Sequence, residues 1–368
     1  MKILALPNSF KGSISARQTA RVLARALNAR HTVKAVPLSD GGDGFIDFFQ
    51  TLFPTARRVR CRAKNAFLQT AATQYLWLPS QKTAVLETAR ICGLGTAPKE
   101  ELNPLGASSY GVGEVLAHAL KKGAQKIYIG LGGVACNDGG AGIAQALGAR
   151  LLDKNGRALP PGAAPLQRLA RIDLGPLPAL LHKVQMYAVA DVTNPLLGAQ
   201  GSARVFGPQK GASPAQVRTL EKALTAYAQT VKKTTGRDIA HTPSTAAAGG
   251  LCAGLYGLLN AKIILGADFL QAHLPLDTWA AWADLIITCE GKLDTQTLFG
   301  KAPLAALQAA ARHRKPALFI CGLCEEKALK KLPKNLQLSV ACLSDFALSC
   351  TDSQRRAAHY IRQIARNI

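Results

Sequence analysis

The sequence predicts an α/β fold with two domains. Short apolar runs alternate with helical patterns near both ends of the 368-residue chain, which is typical of a layered α/β architecture. Hydrophobic residues make up 48% of the chain and charged residues 18%, a balance that excludes a disordered or fibrous protein. The length is enough for two or three domains of ordinary size, each with its own core.

The first expected domain is assembled from the two ends of the chain, residues 1–62 and 284–368. Two strand–helix units at the start and three at the end predict one five-stranded parallel sheet. The first helix is expected at Ala16–Leu27, with Ser13 or Ser15 as its N-cap. The expected strands are Ile3–Leu6, Val33–Leu38, Leu285–Thr288, Ala317–Cys321 and Gln337–Cys342. The other expected helices are Pro303–Arg312, Glu325–Lys331 and Gln354–Arg366.

The second expected domain is inserted into the first and covers residues 63–283. Basic and apolar residues alternate from Arg57 to Glu87, as in strands of a sheet with one solvated face. Further strands are expected at Lys126–Gly130 and Gln185–Ala190, and helices at Gly113–Leu120 and Pro214–Lys233. This pattern predicts a mixed-sheet α/β domain.

The charge balance is strongly basic. Lys and Arg number 45 against 22 Asp and Glu, a net charge of +23, which taken alone favours nucleic acid, an anionic membrane or an acidic substrate as partner. Aromatic residues are only 6% of the chain, so the sequence offers no evident stacking platform for RNA. We interpret the surplus as a property of the solvated surface that also favours encounters with anionic substrates, and expect no nucleic-acid partner.

The expected location is the cytoplasm. The apolar start of the chain reaches Pro7 too soon for a signal-peptide core, and the apolar stretch Thr245–Ala261 is broken by glycines and shorter than the ~20 residues of a spanning helix, so no membrane association is expected. Nine scattered cysteines, an odd number, indicate buried thiols in a reducing compartment. Cys321 and Cys324 have CxxC spacing, but no second CxxC or nearby histidine accompanies them, and we expect a coincidence at a strand end rather than a redox or zinc motif.

Five polar loops each follow an apolar strand, where ligands bind in open α/β sheets. The loops are Pro7–Ser13, Ser39–Gly44, Gly132–Gly142, Asp191–Pro195 with Gly207–Gly211, and Glu290–Gln296 with Gly300-Lys301 beyond it. In the first loop, Ser9, Lys11 and exposed backbone N–H groups suit a phosphate or carboxylate, although the Walker A spacing is absent. In the second loop, Asp40 and Asp43 are set among glycines and suit Mg²⁺ or a substrate hydroxyl.

The third loop has the most specific pattern. Five glycines surround Asn137 and Asp138, and a close approach of the backbone to a ligand would explain their number. The run Gly130–Ala135 also fits a GxGxxA dinucleotide fingerprint. We reject that interpretation because Asn137–Gly140 interrupts the helix that the fingerprint requires, and because Asp153–Gly156 resembles a hairpin turn rather than a ribose-binding strand end.

The fourth and fifth loops add further charged groups. Asp191 and Asn194 could bind a metal or a hydroxyl, Lys210 could reach a phosphate, and Glu290 and Asp294 close a strand. The seven histidines lie outside all five loops and no GxSxG is present, which argues against a histidine-based triad or zinc site. The remaining groups indicate phosphoryl transfer at a cleft between the domains.

These loops, taken together, resemble the bacterial type-1 glycerate kinase family. The resemblance covers residue 1 to about residue 322. The motifs that carry it are, in order, Pro7-Asn-Ser-Phe-Lys-Gly-Ser13, Ser39-Asp-Gly-Gly-Asp-Gly44, Asn103-Pro104, Tyr110-Gly-Val-Gly-Glu114, Gly132-Gly with Asn137-Asp-Gly-Gly-Ala-Gly142, Asp191-Val-Thr-Asn-Pro195, Phe206-Gly-Pro-Gln-Lys-Gly-Ala212, Ala248-Gly-Gly250 and Glu290-Gly-Lys-Leu-Asp294. The resemblance implies ATP- and Mg²⁺-dependent phosphorylation of D-glycerate. It also implies one flavodoxin-like and one restriction-endonuclease-like domain, with the site between them.

The sequence departs from the family pattern at a few positions. Val134, Cys136 and Cys289 stand where the family usually has a small hydroxyl or glycine, and Thr242–Thr245 replaces a glycine-richer stretch. These changes could alter nucleotide or substrate contacts. Every acidic and lysine position of the motifs is present, so we expect the activity to survive.

The resemblance and the loop chemistry assign a role to each candidate residue. Asp191 or Asp40 is the expected base, with Asp191 favoured because Thr193 and Asn194 could orient it, and Lys11 would neutralise the transferring phosphate. The expected substrate-binding residues are Ser9, Asp43, Asn194 and Lys210; the nucleotide-binding residues are Gly132, Gly133, Asn137, Gly139 and Gly140; and the metal ligands are Asp138, Glu290 and Asp294. Two alternatives stay open: a kinase of another small hydroxy acid, and a basic nucleic-acid-binding protein.

Overall fold

The computed structural model describes residues 1–96, 101–294, 302–330 and 336–368. The described residues form the strands β1 (Lys2–Pro7), β2 (Thr32–Ala35), β3 (Arg57–Lys64), β4 (Thr70–Leu78), β5 (Thr83–Glu87), β6 (Lys126–Leu131), β7 (Arg150–Leu152), β8 (Arg171–Asp173), β9 (Gln185–Ala190), β10 (Lys262–Leu265), β11 (Leu285–Leu293), β12 (Ala317–Cys324) and β13 (Leu338–Cys342). They also form the helices α1 (Ala16–Leu27), α2 (Phe45–Leu52), α3 (Ala89–Cys92), α4 (Tyr110–Lys121), α5 (Ala141–Ala146), α6 (Leu177–Leu181), α7 (Ser202–Phe206), α8 (Pro214–Thr235), α9 (Leu251–Gly257), α10 (Gly266–His273), α11 (Leu276–Trp282), α12 (Ala302–Arg312), α13 (Glu326–Leu329), α14 (Cys350–Arg355) and α15 (Ala357–Arg366).

The chain divides into two compact units, one made of Met1–Leu52 and Gly266–Ile368 and the other of Phe53–Leu265. Both boundaries come earlier in the chain than the expected 62/63 and 283/284. The first lies earlier because β3 pairs along its whole length with β4, inside the second unit. The second lies earlier because α10 and α11 pack on α12, inside the first unit.

The first unit contains the predicted five-stranded sheet. Its order is β13-β12-β11-β1-β2, and every neighbouring pair is parallel. Numbered within the unit, the order is 2-1-3-4-5, which is the flavodoxin-like arrangement, so the predicted fold class is confirmed. The inner strand β1 is buried on both faces: Ile3 and Ala5 pack with α1 and α15, and the interior residues Ile3–Leu6 have no exposed surface.

The helices of the first unit follow the sequence pattern with two differences. Ser15, one of the two expected caps, accepts the N–H of Gln18 and forms a capping box with it at the start of α1. The single helix expected over Gln354–Arg366 is two helices, α14 and α15, because the backbone at Arg356 leaves the helical conformation. The expected helix at Glu325–Lys331 is the short α13, and Lys331 lies outside the described residues.

The second unit is built on a six-stranded mixed sheet. Its order is β10-β9-β6-β5-β4-β3; the neighbours from β10 to β5 pair in parallel, and β4 runs antiparallel to both β5 and β3. Asp153–Gly156 forms the predicted turn after β7, closed by the Gly156 N–H on the Asp153 carbonyl at 3.0 Å. Helix α8 begins with a Ser213–Gln216 capping box and packs its apolar face, including Leu220 and Tyr227, into the core of this unit.

Within the described ranges, no helix combines the length and the apolarity that crossing a bilayer requires.

Candidate functional site

The first and fifth polar loops meet in the first unit, at the carboxyl ends of β1 and β11. The Asn8 N–H donates to the Cys289 carbonyl at 2.9 Å, which extends the ladder between the two strands. A Cβ placed on Gly291 would lie 3.4 Å from the backbone nitrogen of Lys11, so the two loops pass close to each other. The strand order of this sheet reverses between β1 and β11, and such a switch point is where open α/β sheets bind ligands.

The Pro7–Ser13 loop is a fixed turn. Phe10 and Ile14 exchange backbone hydrogen bonds of 2.9 and 3.2 Å, Phe10 is buried, and Gly12 at the tip has a φ of +75°. Lys11 is exposed and Ser9 is half-buried. The turn therefore presents a lysine at the switch point on a backbone that is already ordered, a geometry that suits an anionic ligand.

The second loop lies beside the first. The Leu38 N–H donates to the Pro7 carbonyl at 2.8 Å, which carries the chain past β2 to the same edge of the sheet. Asp40 is buried, and its Oδ2 accepts the backbone N–H of Ala302 at 3.4 Å, at the start of α12. Asp43, in contrast, is exposed. The two carboxylates that the sequence treats as a pair therefore differ in their exposure to solvent.

Gly266 supports Asp40 and was missed by the sequence reasoning. A Cβ at this position would lie 2.5 Å from the Cβ of Asp40, so only glycine allows α10 to start so close to this loop. The contact links positions far apart in the chain, and no local motif marks it.

Glu290 and Asp294 end the strand on the other side of the switch point. Glu290 is buried in β11 and Asp294 is half-buried directly after it, whereas Gln296, Gly300 and Lys301 lie outside the described residues. Among the residues that the structure describes, no group of three carboxylates lies close enough to hold a metal by itself. Mg²⁺ is commonly held by one or two carboxylates together with substrate phosphates, so this donor set fits Mg²⁺.

Asp138 is the centre of a buried hydrogen-bond network in the second unit. Its Oδ2 accepts from the Ser109 N–H (2.8 Å), the Ser109 hydroxyl (2.9 Å), the Ser108 hydroxyl (3.1 Å) and the Gly142 N–H (3.3 Å), and its Oδ1 accepts from the Gly140 N–H (3.2 Å). With both oxygens engaged and no exposed surface, Asp138 is placed to hold the loop together. This arrangement favours a structural role over the expected role as a metal ligand, and the two serines were missed by the sequence reasoning.

Lys210 and Asn137 form a second buried group. Lys210 is only 3% exposed, and its Nζ donates to the Cys136 carbonyl at 2.6 Å and to Asn137 Oδ1 at 2.9 Å. The Ser202 hydroxyl also donates to Asn137 Oδ1, at 3.4 Å. The amide Nδ2 of Asn137 is buried and has no hydrogen-bond partner among the described residues. Lys210 therefore orients Asn137, whose other end is a donor that a ligand could satisfy.

Burial lowers the pKa of Lys210 to about 8, against weaker opposing effects of Cys136, Cys92 and Asp138. Since the folded pKa lies below that of the unfolded chain, the cost of the buried charge is present in full below about pH 8 and is relieved as the pH rises above it. We expect the free energy of unfolding of the parent protein to rise by about 2 kcal/mol more than that of Lys210→Met between pH 7 and about pH 9.5. Urea denaturation of both proteins at the two pH values measures this, and a difference that does not change with pH contradicts it.

The glycines of the third loop divide into two groups. Gly139 (φ +66°) and Gly140 (φ +77°) are buried, and added Cβ atoms would lie 2.9 Å from the ring of Tyr227 and 2.8 Å from the Leu251 carbonyl, respectively. These two glycines are explained by packing within the protein. Gly133, by contrast, is exposed with a φ of +62°, and Gly132 beside it is half-buried, so this end of the loop is the part that a ligand can approach.

Gly249 lies against the same loop and gives a matched test. Its φ is +66°, and a Cβ would collide with the Cys136 carbonyl and lie 2.5 Å from Lys210 Nζ. Gly236 has a similar φ of +76° with nothing near it. We expect Gly236→Ala to cost about 1 kcal/mol and Gly249→Ala at least about 3 kcal/mol, measured by chemical denaturation. Equal losses would show that the loop yields to the added methyl group.

Asp191 and Asn194 follow β9. Asp191 is half-buried, and the segment after it is tied to residues 244–246 by the Ser244 N–H on the Thr193 carbonyl (3.1 Å) and the Ala246 N–H on the Asn194 carbonyl (3.1 Å). The Asn194 amide donates to the Gln200 carbonyl at 2.8 Å. The loop is therefore held in place mainly through its backbone, and Asn194 supports the loop itself.

Comparisons with known proteins give the class to which this arrangement belongs. The glycerate kinase family matches residues 3–368. The chain is 38% identical to a glycerate kinase from Halalkalibacterium halodurans over 325 residues, which are 87% of this chain and 85% of that protein. It is 36% identical to a glycerate 2-kinase from Escherichia coli over 327 residues, 88% and 85% of the two chains.

A solved structure agrees with the sequence relatives. The crystal structure of a protein from Salmonella typhimurium LT2, assigned as glycerate kinase 2, superposes with a TM-score of 0.80 at 34% identity, covering 100% of this chain and 96% of that one. Fold and sequence together define an α/β kinase. The chain belongs to the glycerate kinase family.

Proposed function

We propose that the protein transfers the γ-phosphoryl group of ATP to a hydroxyl of D-glycerate in a Mg²⁺-dependent reaction. The observation that carries the proposal is that the segments bearing Lys11, Asp40 and Glu290 come together at the β1–β11 switch point, in a chain that matches the glycerate kinase family from residue 3 to residue 368. Lysine and carboxylates at the end of a parallel sheet are the groups that phosphoryl transfer requires, since its catalysis rests on positioning and charge stabilisation.

In the first unit, we assign the groups that handle phosphate charge. Lys11 neutralises the transferring phosphoryl group from its fixed turn, and Ser9 and Asp43 contribute hydrogen bonds to the substrate. Glu290 and Asp294 are the residues that would hold Mg²⁺, which when bound neutralises charge on the phosphate oxygens. Asp40 is buried and anchored to the start of α12, so we assign it to hold a substrate hydroxyl rather than to move in the reaction.

In the second unit, we assign the base and part of the nucleotide contacts. Asp191, half-buried at the end of β9, accepts the proton of the attacking hydroxyl. The backbone at Gly132 and Gly133 and the unsatisfied Nδ2 of Asn137 supply donors to a phosphate, with Lys210 fixing the amide. Gly139, Gly140, Asp138 and Asn194 keep these groups in place.

The expected product is 2-phosphoglycerate. The E. coli relative, 36% identical, is a glycerate 2-kinase, and we base the expected position of the phosphate, on the 2-hydroxyl, on that name. The alternative attachment, at the 3-hydroxyl, gives a different phosphomonoester that can be separated from the first.

A coupled assay of ADP release tests the substrate. We expect turnover with D-glycerate to exceed turnover with L-glycerate, lactate and glycolate, and to vanish when Mg²⁺ is chelated. Lys11→Met should lower kcat/KM for ATP by at least about 100-fold, whereas Lys154→Met, on the exposed turn after β7, should leave it unchanged. Faster turnover of another hydroxy acid would show that this acid, and not D-glycerate, is the substrate.

A further inference from the structure

Three cysteines meet at the carboxyl edge of the parallel sheet in the first unit. Cys321 and Cys342 are register partners on β12 and β13, and their sulfur atoms lie 3.5 Å apart. Cys324, at the end of β12, completes the group, and all three sulfur atoms lie within 4.8 Å of one another. The third member changes the meaning of the CxxC pair, which on sequence grounds alone was expected to be a coincidence.

We infer that Cys321, Cys324 and Cys342 form a binding site for a thiophilic metal ion of the Zn²⁺ class. Zinc–thiolate bonds of about 2.3 Å in a tetrahedron place the sulfur atoms about 3.8 Å apart. The Cys321–Cys342 sulfur separation of 3.5 Å is close to that value and no separation in the group exceeds 4.8 Å, so side-chain rotations are enough to reach it. Three protein ligands leave a fourth position, which water can fill.

Access and protonation are compatible with metal uptake. Cys321 is buried, while Cys324 and Cys342 are partly exposed, so an ion can enter from one side. Thiolates are the metal-binding form of cysteine, so an entering ion displaces the thiol protons, which pass to the solvent.

An occupied site would fasten the edge strand of the sheet to the strand beside it. Strand β13 is an edge strand of only five residues, and the cluster would clip it to β12. On its other side, Cys321 is the register partner of Glu290 in β11. The residues Glu290, Cys321 and Cys342 thus form one row across β11, β12 and β13. The proposed ion therefore lies one strand away from β11, which carries the candidate Mg²⁺ ligand Glu290.

The test uses the whole 368-residue chain, fully reduced with a phosphine and freed of metal. Zn²⁺ is titrated in competition with a chromophoric chelator, and Cd²⁺ is added separately to observe its ultraviolet thiolate charge-transfer band. We expect one Zn²⁺ per chain with a Kd of about 1 μM or tighter, and a higher melting temperature with Zn²⁺ than without it. Cys342→Ser and Cys324→Ser should each weaken binding by at least about 100-fold and remove most of the Cd²⁺ band.

Cys350→Ser is the matched control, because Cys350 is exposed and lies outside the cluster, and it should bind Zn²⁺ as the parent does. Circular dichroism of the metal-free proteins checks that each variant is folded, and the partly exposed Cys324 provides a second variant if Cys342→Ser is not. Absence of stoichiometric Zn²⁺ binding by the reduced parent would overturn the inference. Equal binding by the folded cluster variants and the parent would overturn it as well.

Discussion

Replacing Asp191 by asparagine should lower kcat by about 10²–10⁴-fold while the protein stays folded. The substitution keeps the size of the side chain and removes the group that accepts the proton of the attacking hydroxyl. The segment after Asp191 is tied to residues 244–246 through backbone hydrogen bonds, which do not depend on the carboxylate. Steady-state kinetics with ATP and D-glycerate measures the loss, and circular dichroism with the melting temperature checks the fold.

Asp40→Asn separates the two candidate bases. Asp40 is buried and bonded to the Ala302 N–H, so its replacement should raise KM for glycerate more than it lowers kcat. Near-normal turnover of Asp191→Asn, together with a collapse of kcat in Asp40→Asn, would assign the base to Asp40.

Asp138→Ala should destabilise the protein by about 3–5 kcal/mol. The carboxylate accepts five hydrogen bonds from Ser108, Ser109, Gly140 and Gly142 in an environment without solvent, and its removal leaves all five donors without that acceptor. Chemical denaturation followed by fluorescence gives the change in the free energy of unfolding.

Asp153→Ala is the control for this loss. Asp153 also accepts two backbone N–H groups, from Asn155 and Arg157 at 2.8 and 2.9 Å, but it lies in an exposed turn, so its loss should cost about 1 kcal/mol or less. If Asp138→Ala is as stable as the parent and loses only Mg²⁺-dependent activity, Asp138 is a metal ligand. That result would contradict the proposal that its carboxylate holds the loop together.

The regular parts of the fold were predictable because their sequence pattern is local. Helix α1 and strand β9 have the predicted bounds, and the five-stranded parallel sheet follows from the alternation of strands and helices at the two chain ends. The break at Arg356 was not predictable, since the apolar spacing continues through it and only the backbone conformation ends α14.

The candidate site was predictable as a set of loops but not as a set of contacts. Polar strand ends mark Lys11, Asp40 and Glu290 in the sequence, and the parallel sheet brings these loops to one edge. The network around Asp138 depends on Ser108 and Ser109, which lie 30 and 29 residues earlier in the chain, and no sequence motif connects these positions with Asp138. Cys342 was likewise invisible beside the CxxC pair, because only the strand register places it there.

The glycines of the third loop show how one signal can have two causes. Their density predicted a close approach to a ligand, yet Gly139 and Gly140 face Tyr227 and the Leu251 carbonyl. A glycine that admits a ligand and a glycine that admits another part of the chain look alike in a sequence, because both need the absence of a Cβ.

Phosphorus NMR of a single reaction mixture tests the central claim most directly. The purified protein is incubated with ATP, Mg²⁺ and D-glycerate, and the spectrum is compared with those of authentic 2- and 3-phosphoglycerate. We predict loss of the γ-phosphate resonance of ATP with an equal gain of ADP and of the 2-phosphoglycerate phosphomonoester. Unchanged ATP in the presence of folded protein, Mg²⁺ and D-glycerate would contradict the assignment of this chain as a glycerate kinase.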